Sequence, residues 1–228
     1  MKAPKPKAFD PIPKGTHVAR LYQIVHLGTT SFQYKGEEKS SNKIRLTFEL
    51  CNEKKEFKEG EGEKPYSISR EFGFSMSPRG KLRPFVEAMA GAALYDEEAY
   101  NLDIETLLGR ECLLTVVHEE KNGNTYSNIL TASPLPKGTT APEMVNEPKF
   151  ISVDSSSEEE IAALPEFLRT KIYESEEWAG RLVFKQKSIE NGFDPKTNKR
   201  IVPEDDRPTD DDRDRYAKEG INPADIPF

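Results

Sequence analysis

Apolar and polar residues alternate with a period of two through most of the chain from His17 to Ala132, a pattern that predicts strands. From His17 to Leu27 the residues Ala19, Leu21, Val25 and Leu27 fall on one face and Arg20, Tyr22, Ile24 and His26 on the other. Gly28 to Ser41 is rich in Gly, Thr and Ser and reads as a loop or hairpin. The alternation is cleanest from Asn42 to Leu50, with Ile44, Leu46, Phe48 and Leu50 opposite Lys43, Arg45, Thr47 and Glu49. A charged loop over 51–65 leads to a third strand, Tyr66 to Phe74, and its Phe residues, like Phe48, are assigned to the core. Ser77, with Pro78 at the first helical position, is the expected cap of a helix carrying Leu82, Phe85, Val86 and Met89, with Gly91 as its stop. A second short helix is expected over 96–108. Glu111 to His118 is apolar on both faces, as in a central strand, and Asn122-Gly123 turns it into a partner strand, Tyr126 to Ala132.

Strand, strand, strand, helix, strand, strand is the element order of an OB-fold, a five-stranded, partly open Greek-key barrel. The expected organisation is a flexible basic, Pro-rich arm over 1–15, the barrel over 16–137, an extension over 138–190, and a disordered acidic tail over 191–228. Within the extension, one short strand is expected at Phe150 to Val153. Helical structure is expected from Glu158 to Trp178, capped by Ser157, interrupted at Pro165 and packed on the barrel.

Charge sharpens this division. Net charge is −7, yet residues 1–50 carry nine Lys/Arg against four acids, and residues 201–228 carry nine acids against four bases. A basic front end suits a polyanion, and an acidic tail does not. Hydrophobic residues make up 35% and charged residues 32%, so the core occupies only part of the chain. No apolar run approaches a membrane span and the N-terminal stretch has no apolar h-region, so a soluble, cytoplasmic protein is expected. Cys51 and Cys112 lie in apolar runs and read as buried thiols.

Catalytic signatures are missing from the sequence. His17, His26 and His118 lack metal-ligand spacing, and there is no P-loop, Gly-x-Gly-x-x-Gly or Gly-x-Ser-x-Gly segment. Asp210, Asp212 and Asp214 begin like a calcium loop, but Arg215 and Ile221 stand where that loop needs Gly and Glu. Neither a metal nor a cofactor is expected. A binding constellation stands out instead: Arg20, Tyr22, Phe32, Tyr34, Lys35, Lys39, Lys43, Arg45 and Arg70 interleave cations and rings, and Lys81 adds a charge at the helix start. Cations neutralise phosphates and release counterions, while flat rings stack unpaired bases, so this combination suits single-stranded nucleic acid. On an OB barrel such a ligand crosses the second and third strands, which makes Lys43 and Arg45 the foremost phosphate contacts.

The chain closes with Asp225-Ile226-Pro227-Phe228. Here it resembles bacterial single-stranded DNA-binding protein, whose acidic tail ends in the same four residues. The barrel region is similar to the OB-type single-strand binders of phages and integrated elements. That similarity is carried by Ile12-Pro13-Lys14-Gly15-Thr16, Leu107-Leu108-Gly109-Arg110 and Pro134-Leu135-Pro136-Lys137-Gly138. The resemblance implies a non-enzymatic protein of DNA replication, recombination and repair that coats single strands near the nucleoid. It also implies recruitment of partner enzymes through Asp225, Ile226, Pro227 and Phe228, and allows an oligomer. The Phe228 ring and terminal carboxylate together suit an apolar pocket flanked by Arg or Lys. Two alternatives stay open: a decoy that imitates the tip without binding DNA, and a metal-dependent nuclease.

Overall fold

A computed structural model describes residues 11–191, 193–197 and 199–201. The chain divides into two compact units, residues 1–177 and 178–228. The first unit is mainly β. Its strands are β1 (Gly15–Tyr34), β2 (Glu37–Glu56), β3 (Glu63–Gly73), β4 (Glu111–Lys121), β5 (Asn124–Ser133) and β6 (Lys149–Ser152). Along the path β3-β2-β1-β4-β5 every neighbour is antiparallel, while β6 lies parallel to β1. Helices α1 (Leu82–Ala90) and α2 (Asp96–Tyr100) and a 3₁₀ turn (Ile104–Leu107) lie between β3 and β4. Helices α3 (Glu158–Ala162), α4 (Glu166–Tyr173) and α5 (Glu176–Glu190) follow β6. No helix among the described residues is long and apolar enough to cross a membrane.

The period-two pattern of β2 survives intact: Ile44, Leu46, Phe48 and Leu50 are all fully buried in one cluster with Ile68 and Phe72 of β3 and Leu82, Phe85, Val86 and Met89 of α1. In β1 the pattern breaks. The register with β2 shifts between Leu21 and Gln23, and this bulge moves Ile24 onto the core face with Ala19 and Leu21. Val25 and Leu27 are buried too, but outside that cluster, on the side where β6 pairs with β1 and α4 packs. The alternation expected for this strand therefore holds only up to Leu21.

The span expected as a loop or hairpin, Gly28 to Ser41, is a hairpin. Residues 29–34 and 37–42 pair as a two-stranded arm around Lys35 and Gly36, both at positive φ (54° and 82°), the backbone of a tight primed turn. Three corrections are local. Lys81, not Ser77, stands at the N-cap of α1, because residues 77–80 close a separate turn through a 2.8 Å hydrogen bond from Gly80 N to the Ser77 carbonyl. Phe74 lies beyond the end of β3, half-exposed, with its ring 5.1 Å from that of His26. Ile12, placed in the arm by the sequence, joins the core, and its carbonyl accepts from His118 Nε2 and Ser127 Oγ.

The cap expected at Ser157 is present. Its hydroxyl accepts from Glu160 N, and the Glu160 carboxylate accepts from Ser157 N. In the second unit α5 buries no side chain, and Phe193 and Arg200 form an isolated antiparallel bridge.

Candidate nucleic-acid interface

Nine of the ten barrel residues singled out by sequence separate into three groups, and Lys81 stands apart from them. The first is the arm. Phe32 pairs in register with Lys39, and Lys39 Nζ lies 4.8 Å above the Tyr34 ring, with Lys35 Nζ at 5.5 Å. Phe32 and Tyr34 are two residues apart on one strand and share a face, and both are roughly half-exposed. Exposed rings flanked by ammonium groups are what a single strand's bases and phosphates require.

The second group lies where the arm enters the sheet. Tyr22 donates from its hydroxyl to Ser67 Oγ at 3.2 Å. Arg45 donates to Glu71 Oε1 at 3.0 Å, and its guanidinium stacks 5.2 Å from the Phe167 ring of α4. Lys171 of α4 donates to both oxygens of Glu71, at 2.6 and 2.8 Å. Burial alone would push the Glu71 carboxyl up, but the bonds and charges of Lys171 and Arg45 outweigh it and hold the group below its ordinary range. Two cations thus meet one carboxylate, and Lys43 lies two residues before Arg45 on the same face.

The same face of β2 continues to Thr47 and Glu49, which the sequence left exposed. Both are buried. The Glu49 carboxylate accepts from Val145 N and Asn146 N, each at 2.9 Å, and from Asn146 Nδ2 at 2.6 Å. Val145 and Asn146 therefore cap this end of β2, and Lys43 and Arg45, both partly exposed, are the cations of its other end.

Arg20 and Arg70 form the third group, and both guanidinium groups are engaged inside the fold. Arg20 donates to the carbonyls of Pro142, Gly109 and Ala141 and to Glu111. Arg70 donates to the carbonyls of Ile129 and Leu130 on β5 and lies over the rings of Phe72 and Phe85. Lys81 stands exposed at the start of α1. Asp225, Ile226, Pro227 and Phe228 lie outside the described residues.

A cleft of about 750 Å³ adjoins the second group. Ser67 and Ser69 of β3 line one side, Asn124 to Ser127 of the β4–β5 hairpin line the other, and Arg45 and Ile12 also contribute. Tyr126 supplies an exposed ring to this wall. The sequence reading missed it, although a tyrosine three residues after an Asn-Gly turn stands near a hairpin tip with little to bury it. The three histidines are engaged structurally: His17 Nε2 donates to the Pro13 carbonyl, His118 Nε2 to that of Ile12, and His26 Nε2 to Asn42 Oδ1. Among the described residues no three His, Cys, Asp or Glu side chains group as metal ligands.

No protein-family model matches the chain, and a search of curated proteins finds no match.

Proposed function

We propose that the chain is a non-enzymatic, sequence-tolerant single-stranded DNA-binding protein built on an OB-type barrel. The observation that carries this reading is the cleft between β3 and the β4–β5 hairpin, with Arg45 and Tyr126 in its walls and Tyr22 bonded to one of its serines. The strand order β3-β2-β1-β4-β5 supports the barrel, since Arg70 ties β3 to the far strand β5 and α1 intervenes between β3 and β4. On such a barrel the face of the second and third strands and the adjoining loops take the ligand. Lys43 and Arg45 hold phosphates, Tyr22 and Tyr126 offer rings in and beside the cleft, and Phe32, Tyr34, Lys35 and Lys39 on the arm extend the track. The terminal Asp225-Ile226-Pro227-Phe228 then recruits replication, recombination or repair enzymes.

Fluorescence anisotropy with labelled oligothymidylate and with duplex, at two salt concentrations, tests this. Single strands bind more tightly than duplex, affinity falls steeply with salt, and Lys43→Glu with Arg45→Glu weakens binding at least tenfold. Equal affinity for both forms, or no effect of the double substitution, overturns the assignment. Removal of residues 225–228 leaves DNA binding intact and abolishes partner capture.

A further inference from the structure

Helix α4 docks on the sheet through Leu168 and Ile172, both buried. Phe167 and Lys171 each stand one position before those two, so they share the neighbouring face of the helix, one turn apart. That face is open: Phe167 is 52% exposed and the Lys171 side chain 43%. A lone exposed ring on a helix has no need to be there for packing, and this one stands beside the cations of β2.

The contacts of the pair tie it to the cleft. The Arg45 guanidinium lies over the Phe167 ring, 5.2 Å from its centroid, and Arg45 also lines the cleft with Ser67 and Ser69. Lys171 donates to both oxygens of Glu71, at 2.6 and 2.8 Å. An ammonium has three donors, so one is left for a phosphate oxygen. Among the described residues no second carboxylate pairs with Arg45 or Lys171, so the two cations and Glu71 keep one positive charge uncompensated.

The helix also borders the stretch between the cleft and the arm. Arg45 joins its first turn, at Phe167, to the cleft. Just beyond its other end Ser175 sits against Gly28, where the arm begins, and Glu177 takes the Thr29 amide. A strand running from the cleft to Phe32 and Tyr34 therefore passes along α4.

We propose that α4, which lies outside the strands and helix of the barrel, is part of the nucleic-acid interface: the Phe167 ring stacks an unpaired base and Lys171 holds the adjacent phosphate. The inference rests on the single-strand reading above and carries the interface from the barrel into the extension. Flat rings stack any base, and each cation that meets a phosphate releases counterions, so the pair adds affinity without reading sequence. Glu71 is a positioning residue here, because it holds the heads of Arg45 and Lys171 together on one carboxylate beside the ring.

Anisotropy titration of the full chain with labelled oligothymidylate, over a range of salt, separates the two roles. Phe167→Leu removes the ring but keeps an apolar side chain. It weakens binding at least fivefold and leaves the salt slope unchanged, since no charge is lost. Lys171→Gln makes the slope of log affinity against log salt shallower by about 0.7, and Lys171→Arg restores it. Phe167→Trp reports the stack directly: oligothymidylate quenches its emission beyond the change seen in the unsubstituted chain, whose single tryptophan is Trp178. Circular dichroism verifies that each variant folds, and Phe167→Trp decides if Phe167→Leu does not. An unsubstituted chain that fails to bind single strands overturns the proposed function and this inference with it. If that chain binds them, the role of α4 alone is overturned by Phe167→Leu binding equally well, by Phe167→Trp showing no added quenching, or by an unchanged slope in Lys171→Gln.

Discussion

Arg45 and Glu71 face each other in register across β2 and β3, with Nη1 donating to Oε1 at 3.0 Å. Lys171, one hundred residues further along the chain, closes on the same carboxylate from α4. One pair thus joins the candidate phosphate-binding strand to the extension that packs on it.

That junction makes stability sensitive to acid. Glu71 is held below the ordinary carboxyl range. Glu177 is too: burial pushes it up, but the hydrogen bonds from Thr29 N and Oγ1 prevail. A depressed folded-state pKa contributes stability that is present above the unfolded value of about 4.3 and lost as pH falls through the folded value. Melting temperature therefore stays level near neutrality and drops below about pH 4.3. Glu71→Gln shallows that drop while lowering the neutral plateau. Scans of both chains from pH 7 to 3 check it, and parallel acid limbs refute it.

Glu49 is the buried anchor of the 143–146 segment, with three donors on one carboxylate. Truncation leaves two backbone N–H groups without their acceptor. Glu49→Ala is expected to destabilise by about 3 kcal/mol, and Glu49→Gln, which keeps one acceptor oxygen, by less. Urea titrations of the two variants measure the difference.

Gly28 lies at the second β1 register shift, at φ 82°, and a Cβ there would come within 2.6 Å of Ser175 Cβ and 2.7 Å of Glu177 Oε2. Gly36 has the same φ with nothing within 4 Å. Both Gly→Ala changes incur backbone strain of about 1 kcal/mol or more, but only Gly28→Ala also forces the start of α5 off Thr29. Gly28→Ala is accordingly the more destabilising of the two in thermal melts, and equal losses would show that contact to be dispensable.

Burial raises the Cys112 thiol to about 12, and Cys51 is raised for the same reason. Both thiols resist an aromatic disulfide reagent at pH 8 in the folded chain and react on unfolding in urea, as absorbance follows. They do not bridge to each other. Cys112 pairs across Ala19, whose other neighbour is Leu50, so β1 separates the two cysteines by roughly 10 Å, beyond disulfide reach.

Local pattern carried the strands wherever one face meets one core. In β2, Ile44, Leu46, Phe48 and Leu50 could be placed from spacing alone, because only one face of the strand is apolar; the other, at Thr47 and Glu49, is covered through polar contacts, so the period-two signature stays in the sequence. The cap at Ser157 was equally readable, since its partner stands three residues away. In β1 the same logic failed after Leu21. That strand meets the core on one face and has α4 packed against it as well, so apolar residues are demanded on each face and a bulge leaves no mark in the alternation.

Arg20, Arg45 and Arg70 are indistinguishable as cations in a strand. Their different fates depend on acceptors far away in the chain: the Pro142 carbonyl for Arg20, Glu71 and α4 for Arg45, the Ile129 carbonyl for Arg70. The cleft likewise needs β3 and the β4–β5 hairpin brought side by side, which no local window contains. Short-range spacing reports which face of an element wants burial. Only the packed chain decides which charges are spent on the fold and which remain for a ligand, because that depends on carbonyls and carboxylates delivered from elsewhere.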